Sequence, residues 1–331
     1  MDTVTVSLDT IEQKTSTALQ AHGALPWIAD SVAQAVRRAE ATGNIICGLY
    51  YLDSYCRQLH SGRVKGAVQP KVSQPKPATV KVDAMAGFAQ PAFAQGIELA
   101  TSVAHRQGIC AFTICHSHTC TSMGYFTAQI AAFGMIGVGT TNAPACVSPP
   151  GGTRALLGTN PIAMSIPARN GGIAIQFDQS TSAIAIGKIR MAAAHGEKIP
   201  LDWAVDSDGQ PTDDPNVALQ GGSLSSSGGY KGYGFGLMAE ILAAAVTGSD
   251  LSITASPVKA TEGPAQDFGQ FYFLIDPTSF AGETFWQRLD TISEAVAQQP
   301  GARLPGARQN WPDHVTIDAE LWQQVLNLAS S

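Results

Sequence analysis

The stretch from residue 108 to residue 161 constrains the fold of this chain more than any other. An apolar run, Gly108 to Cys115, leads into the polar cluster Cys115-His116-Ser117-His118-Thr119-Cys120-Thr121-Ser122. A segment with Ala, Ile and Phe at helical spacing follows, and then a second apolar run, Met135 to Val138. Strand, polar turn, helix and strand is the order of a βαβ unit in an α/β sheet. Because such sheets bind ligands where strands end, the polar turn is the first candidate for a site.

The composition argues against several classes of partner. With 44% hydrophobic and 14% charged residues, the 331-residue chain can form a large core or an apolar interface between subunits. Its net charge is −6 and it has no Lys/Arg block, so no nucleic-acid or anionic membrane surface is expected. No apolar run approaches the ~18 residues of a membrane span. The spread of six cysteines predicts reduced thiols and a cytoplasmic protein: Cys47, Cys56, Cys110, Cys115, Cys120 and Cys146.

Proline, glycine and hydrophobic periodicity divide the chain into four segments. Residues 1–64 predict a helical N-terminal subdomain with three helices. Residues 65–78, which contain three prolines and three lysines, predict an exposed linker. Residues 79–310 predict an α/β core. Residues 311–331 predict a C-terminal helical segment, with its helix after Val315, that returns to the N-terminal subdomain.

The second half of the core contributes further candidate elements. A hairpin turn at Arg169-Asn170-Gly171-Gly172 separates two short strands. Asp178 ends the second of these strands before Gln179-Ser180-Thr181-Ser182, so its carboxylate is expected to cap the next helix or to bind a ligand. The loop Tyr230-Lys231-Gly232-Tyr233-Gly234-Phe235-Gly236 enters an apolar helix, where free backbone N–H groups favour an anion. Its spacing matches neither GxxxxGK[ST] nor GxGxxG after a strand. Gln270 to Ile275 is a buried strand.

The cysteines and histidines of residues 115–120 are not expected to bind a metal. Alternating strand residues point to opposite faces, and the spacing matches neither a zinc finger nor a His-x-x-x-His helix face. A Ser/His/Asp nucleophile is not expected either, because no serine lies in a GxSxG elbow. The His118 turn, the Asp178 junction and the Tyr230 loop all lie at strand-to-helix transitions. Their convergence on one cleft would suit a dinucleotide-dependent enzyme.

Four longer segments resemble the malate/L-lactate dehydrogenase family, which is unrelated to the Rossmann enzymes. They are LLGTNPIAMSIP (156–167), FDQSTSAIAIGKI (177–189), GGYKGYGFGLMAEILAAAVTG (228–248) and RLPGAR (303–308). VDAMAGFAQPA (82–92) and the segment 187–212 look closest to the cyclic-imine reductases, which act on Δ1-pyrroline- or Δ1-piperideine-2-carboxylate, with sulfolactate dehydrogenases not far behind.

This resemblance implies both an architecture and an activity. The architecture is a homodimer in which a helical N-terminal subdomain joins a three-layer α/β/α core with a mixed, non-Rossmann NAD(P)-binding sheet. The activity is hydride transfer between NAD(P)H and a small 2-oxo or 2-imino acid. No metal is implied.

The resemblance also assigns residues to the cofactor and to the substrate. Cofactor contacts are implied for Thr119, Cys120, Thr121, Ser122, Met123, Asp178, Gln179, Ser180, Gly187, Tyr230, Lys231, Arg303 and Arg308. Thr159 is implied to help hold the substrate carboxylate. Because an arginine fork binds phosphate bidentately, Arg303 and Arg308 favour NADPH over NADH.

The chain differs from the family at the positions of the family's catalytic and substrate-binding residues. The first helical motif of the family reads Ser-His-Gly followed by an arginine, where this chain has Ile46-Cys47-Gly48 and Tyr51. The proton-donating histidine and the substrate arginine are therefore both absent. Thr119 stands where the family has a second histidine, and Lys188 stands where the imine reductases have an aspartate.

The absence of the proton-donating histidine and the substrate arginine impairs reduction of a cyclic imine less than it impairs reduction of a ketone. Ketone reduction creates alkoxide character that needs a proton, whereas a protonated imine already carries one. We therefore predict reduction of Δ1-pyrroline-2-carboxylate or Δ1-piperideine-2-carboxylate to L-proline or L-pipecolate. Cys47, Tyr50 or Tyr51 is expected to line the imine site, and Lys188 or His118 to pair with the substrate carboxylate.

Two alternatives stay open at this point. In the first, Cys47 is the acid of a 2-oxo acid dehydrogenase of the malate, lactate or sulfolactate type. In the second, the chain binds the nucleotide but has lost catalysis. Turnover of a panel of 2-oxo and 2-imino acids separates all three hypotheses.

Overall fold

The computed structural model describes residues 2–306 and 311–330. Its strands are β1 (Thr3–Ser7), β2 (Lys71–Lys76), β3 (Thr79–Asp83), β4 (Ile109–Ser117), β5 (Ile136–Thr141), β6 (Ile162–Pro167), β7 (Ile173–Gln179), β8 (Ala204–Val205), β9 (Ser223–Leu224), β10 (Phe268–Ile275) and β11 (His314–Asp318). Its α-helices are α1 (Leu8–Ala21), α2 (Pro26–Ala41), α3 (Leu52–Ser61), α4 (Ala89–Gln107), α5 (Met123–Ala132), α6 (Ile186–His195), α7 (Pro215–Leu219), α8 (Tyr230–Glu240), α9 (Thr278–Ala281), α10 (Thr284–Ala297) and α11 (Ala319–Leu328). Two 3-10 turns, Ile45–Cys47 and Leu49–Tyr51, precede α3, and a π-helical turn, Ile241–Ala245, extends α8.

A seven-stranded mixed sheet with the order β2-β3-β4-β10-β5-β6-β7 forms the centre of the molecule. Only β3 and β4 are parallel neighbours, and the other neighbouring pairs are antiparallel. The predicted strand-helix-strand unit is confirmed as β4, α5 and β5. Its two strands are parallel but not adjacent, because β10 lies between them and pairs with both.

Helices cover both faces of this sheet. On one face α4 and α5 bury an aromatic cluster, in which the Phe93 ring lies 5.0 Å from Phe126 and 5.2 Å from Tyr272. On the other face the π-helical turn approaches so closely that a β-carbon on Gly269 would lie 1.8 Å from Ala243 O. The α/β/α layers and the mixed sheet confirm the predicted fold class. No described helix is both long and apolar enough to cross a membrane.

The first and last segments of the described chain pack together. Strand β1 pairs antiparallel with β11, from Thr3 opposite Asp318 to Ser7 opposite His314. Helix α11 packs against α1 and α3, and Ile11, Leu19, Ile28 and Val325 lie in their shared core. The sequence correctly predicts three N-terminal helices. It missed β1 and β11, whereas the predicted last helix does follow Val315, as α11 from Ala319.

The predicted linker contains an edge strand. Residues 71–76 form β2, which pairs only with β3 among the described strands and is exposed along its whole length. Pro75 is compatible with this position, since an edge strand leaves one row of backbone groups unpaired. The expected exposure is correct, but the segment extends the sheet. The proposed domain boundaries stay a prediction.

Candidate active site

Two cavities lie on either side of Phe177, near the end of β7. The first, about 490 Å³, lies between α2 and the start of α5, and its wall includes Arg38, Asn44, Ser122, Gly124, Gln176, Asp178 and Trp311. The second, about 410 Å³, lies beside the start of α8 and is lined by Ile162, Gln179, Ser180, Thr181, Ser227, Lys231, Gly232 and Phe235. We call them the α2 cavity and the α8 cavity. The predicted cofactor residues Ser122 and Asp178 border the first, and Gln179, Ser180 and Lys231 border the second.

Asp178 caps a helix across the sheet. Its Oδ2 atom accepts hydrogen bonds from the backbone N–H of Gly124 at 2.8 Å and from Ser122 Oγ at 2.9 Å, at the first turn of α5. Desolvation raises the pKa of the Asp178 carboxyl, although these hydrogen bonds favour its ionised form. Of the two predicted roles, helix capping is present, but the capped helix is α5 and not the helix that follows β7.

Cys47 and Tyr51 are held by the two 3-10 turns that precede α3. Desolvation, aided by the nearby Asp178 carboxylate, raises the pKa of the Cys47 thiol to about 12. Desolvation likewise raises the pKa of Tyr51 to about 12, with a smaller contribution from Cys47. Both groups therefore stay protonated at neutral pH. The Tyr51 ring stacks on the buried Tyr55 ring at 5.8 Å, which fixes its orientation.

Arg190 is a site residue that the sequence did not single out. Its charge opposes the rise in the Tyr51 pKa, so the guanidinium lies within electrostatic reach of that hydroxyl. Arg190 follows Gly187 by three residues in α6 and therefore shares its helix face. That face approaches the Cys47 turn, because a β-carbon on Gly187 would lie 3.7 Å from Ile46 Cδ1. The three-residue spacing from Gly187, a predicted cofactor contact, was the sequence signal that could have identified Arg190. Lys188 is exposed, and its side chain makes no hydrogen bond or ion pair with the other described residues, although its backbone N–H donates to Ala185 O at 2.9 Å.

His118 is not positioned to contact a ligand. Its side chain is only 1% exposed and packs edge-on against Tyr55 and Phe88, with ring centroids 5.4 Å away in each case. Its Nε2–H donates to Gln58 Oε1. Desolvation lowers the pKa of His118 to about 3, so the ring is neutral. The prediction that His118 acts in catalysis or pairs with the carboxylate is corrected, because the ring is sealed within the core.

The predicted cofactor turn, Thr119 to Met123, divides into buried and accessible residues. Cys120 and Met123 are 2% and 0% exposed, and both side chains belong to the main hydrophobic core. Their predicted contacts with the cofactor therefore cannot come from the side chains. Thr119, Thr121 and Ser122 keep partial exposure. Thr121 has a positive φ of 63°, a conformation rare for threonine, which bends the chain just before α5.

Thr159 is fastened to the segment that follows β7. Its carbonyl accepts hydrogen bonds from Ser180 Oγ at 3.0 Å and from the Thr181 N–H at 2.9 Å. The next residue, Asn160, donates from Nδ2 to the buried Glu240 carboxylate at 2.8 Å. These bonds connect the predicted substrate residue to the wall of the α8 cavity and to α8 itself.

The remaining predicted contacts lie at the rims of the two cavities. Tyr230 is 72% exposed at the start of α8. The loop that contains Arg303 is attached beside the α2 cavity, since the Gln176 N–H donates to Pro305 O at 3.1 Å. Arg308 lies outside the described residues. The Tyr50 ring lies edge-on to the Tyr51 ring, with centroids 5.5 Å apart, and Lys259 Nζ lies 3.2 Å from the Tyr50 centroid.

A separate group of polar side chains occurs where β4 ends. His116 has a φ of 52°, and the pairing of β4 with β10 shifts register at this point. The expected alternation of side chains therefore fails, and His116 Nδ1 lies 3.1 Å from Asp83 Oδ1. Potential ligand atoms of Asp83, Cys115 and His116 lie within 4.8 Å of one another. The absence of a metal site stays a prediction.

The α/β/α fold with its mixed sheet, together with the four family-like segments of the sequence, defines a dehydrogenase. The chain belongs to the malate/L-lactate dehydrogenase family, whose model matches residues 6–324. It is accordingly an oxidoreductase that uses NAD(P), and the resemblance inferred from the sequence is confirmed.

The chain is similar to relatives whose names give different substrates. The chain is 36% identical to the (2R)-3-sulfolactate dehydrogenase (NADP(+)) of Chromohalobacter salexigens, over 92% of this chain and 90% of that protein. It is also 36% identical to the Δ1-pyrroline-2-carboxylate/Δ1-piperideine-2-carboxylate reductase of Pseudomonas syringae pv. tomato, over 87% and 84%. The crystal structure of the Δ1-piperideine-2-carboxylate reductase from P. syringae pv. tomato superposes with a TM-score of 0.89 at 32% identity, covering 98% of this chain and 99% of that one.

Proposed function

We propose that this protein is an NADPH-dependent reductase of small cyclic 2-imino acids, Δ1-pyrroline-2-carboxylate or Δ1-piperideine-2-carboxylate. The observation that carries the proposal is the state of Cys47, which occupies the position of the family's proton donor. A thiol with a pKa of about 12 is a poor proton donor at neutral pH. Tyr51, with a similarly raised pKa, offers no better acid. A substrate that is already protonated, such as an iminium, needs no proton from either Cys47 or Tyr51.

The two cavities suit a dinucleotide. They adjoin at Phe177, and cationic side chains border both: Arg38 in the α2 cavity and Lys231 in the α8 cavity. Ser122 and Asp178 would hold the cofactor on one side, and Gln179, Ser180 and Lys231 on the other. When bound, the reduced nicotinamide supplies a hydride to the C=N carbon, the π pair becomes the amine nitrogen's lone pair, and NADP⁺ is left.

The protein's own residues then bind and orient the imino acid. Arg190 and Thr159 are the proposed partners of its carboxylate, with Lys188 as the alternative cation from the same helix. Cys47 and Tyr51 supply a neutral, largely desolvated wall. Because neither is ionised at neutral pH, this wall neither repels the substrate carboxylate nor removes the proton from the iminium.

A homodimer in the cytoplasm completes the proposal. Along α8 and the π-helical turn, large apolar side chains are between 41% and 58% exposed: Phe235, Leu237, Met238, Ile241 and Val246. Contiguous exposed apolar surface of this kind marks interfaces between proteins. The six cysteines are free thiols, which suits a reducing compartment. Ile241→Asp should convert a dimer to a monomer in size-exclusion chromatography with light scattering.

A substrate panel tests the activity. Oxidation of NADPH and NADH is followed with both cyclic imines, pyruvate, oxaloacetate and sulfopyruvate. We expect the highest kcat/KM with a cyclic imine. The sulfolactate dehydrogenase relative, also 36% identical, makes sulfopyruvate the strongest competitor. Faster turnover of any 2-oxo acid would contradict the proposal, and cofactor binding without turnover of any of them would favour a nucleotide-binding protein.

A further inference from the structure

Two adjacent arginines of α2 have opposite surroundings. Arg37 is ion-paired twice, through Nη2 to Asp9 Oδ1 at 2.8 Å and through Nη1 to Glu12 Oε2 at 2.7 Å. The Arg38 side chain makes no hydrogen bond or ion pair within residues 2–306 and 311–330, although its backbone carbonyl accepts one from the Thr42 N–H at 3.1 Å. Its guanidinium carbon instead lies 4.2 Å from the centroid of the Trp311 ring. The Arg38 guanidinium is thus a half-buried cation that stacks on Trp311 and has no anionic partner among the described residues.

The Arg38 guanidinium borders the α2 cavity. Asp178 is the only carboxylate among the described residues that line this cavity, and its Oδ2 is already engaged by Ser122 and Gly124. The cavity therefore combines an unpaired guanidinium with polar groups of Thr42, Asn44 and Ser122. Desolvation lowers the pKa of Arg38, as expected for a cation whose surroundings do not yet supply an anion.

We propose that Arg38, oriented by Trp311, binds the 2′-phosphate of NADPH in the α2 cavity and sets the preference for NADPH over NADH. This inference rests on the proposed function, which supplies a nicotinamide cofactor. A planar guanidinium donates two parallel hydrogen bonds to a phosphate, and stacking on an aromatic ring restricts its orientation in advance. NADH has a ribose hydroxyl at this place and would gain little from a cation. The site would supplement Arg303, whose loop is attached to the neighbouring Gln176.

Calorimetric titration with cofactor fragments tests the inference without any substrate. The full-length protein is titrated with adenosine 2′,5′-bisphosphate and with 5′-AMP, which differ only by the 2′-phosphate. We expect Arg38→Gln to weaken binding of the bisphosphate about tenfold, as for a lost charge-assisted hydrogen-bond pair, and to leave 5′-AMP binding unchanged. Arg38→Lys, which keeps the charge but not the fork, should fall between the two.

Arg37→Gln is the matched control, because the Arg37 guanidinium is already ion-paired with Asp9 and Glu12. It should bind both fragments as the wild type does. Trp311→Leu should weaken bisphosphate binding by a smaller factor than Arg38→Gln. An equal loss for both fragments, or the same loss in Arg37→Gln, would overturn the inference. Should Arg38→Gln fail to fold, unchanged bisphosphate binding by Arg38→Lys and Trp311→Leu would overturn it. Because no imine is present, failure of the proposed activity would not affect this result.

Discussion

A β-carbon on Gly48 would lie 2.0 Å from Glu40 Oε1, the same oxygen that accepts the Leu49 N–H at 2.8 Å. The missing side chain at Gly48 thus lets a buried carboxylate from α2 hold the turn that carries Cys47. Burial raises the pKa of Glu40, and this hydrogen bond partly offsets that rise.

Gly48→Ala should therefore destabilise the protein and misplace Cys47. We expect a loss of about 1–3 kcal/mol, as for other overpacked sites, together with a fall in kcat/KM. Gly234→Ala is the control, because a β-carbon there meets nothing within 4 Å. It should change stability by no more than about 1 kcal/mol. Denaturant titration measures both variants, and equal stability of the two would disprove the packing argument.

Cys47→Ser should retain imine reduction. A general acid contributes ~10²–10⁴-fold to a reaction that needs one, so we expect kcat to stay within about threefold if the thiol donates no proton. Cys47→His, which introduces the family's residue, should increase turnover of 2-oxo acids relative to the imine. Steady-state kinetics on both substrate classes provides the measurement. A hundredfold loss of imine turnover in Cys47→Ser would instead make the thiol catalytic.

Arg190→Met should raise the KM for the imino acid. Loss of a cation facing the substrate carboxylate is expected to cost about tenfold or more in kcat/KM, with little effect on cofactor affinity. Lys188→Met is the comparison, since both residues are exposed on α6. A larger loss of kcat/KM in Lys188→Met than in Arg190→Met would identify Lys188 as the partner of the substrate carboxylate, as the sequence first suggested.

His118 should make the protein sensitive to acid. Its folded pKa is about 3 against an ordinary 6.5, so between these values the unfolded chain binds a proton that the folded protein does not. Stability from the neutral ring is complete above pH 6.5 and falls as the pH drops toward 3. In His118→Gln, Tm should decline less from about pH 7 to pH 5 than in the wild type.

The exposed His60 provides the control for this measurement. His60→Gln should leave the slope of Tm against pH unchanged. Parallel curves for His118→Gln and the wild type would show that the buried ring does not govern acid sensitivity.

Local patterns predicted much of the fold. The strand-helix-strand unit of β4, α5 and β5, the hairpin of β6 and β7, and the three N-terminal helices all follow from spacing and turn residues. The insertion of β10 between β4 and β5 could not be predicted this way, since it depends on pairing between segments more than a hundred residues apart. The pairing of β1 with β11 escaped for the same reason.

The site was less accessible to prediction than the fold. Family motifs directed attention to Cys47, Tyr51, Asp178 and Thr159, but motifs do not report burial. His118 and Cys120 lie in a polar sequence and yet face the core, because bends at His116 and Thr121 break the strand's alternation. Arg38 lies outside the matched motifs, and Arg190 lies in the segment 187–212 without an implied role. The packing of α2 brings Arg38 to the α2 cavity, and α6 brings Arg190 within electrostatic reach of Tyr51.

The pairing of β1 with β11 and the contacts of α11 also determine when the N-terminal helices can be completed. On the ribosome, α1 and α3 are synthesised before the sheet, whereas β11 and α11, which pack with this part of the chain, are synthesised after it. The apolar faces of α1 and α3 therefore stay exposed, or bound to a chaperone, while the sheet is synthesised. The helices beside the Cys47 turn are therefore synthesised before the sheet and covered only after it, so this candidate site is completed late in folding.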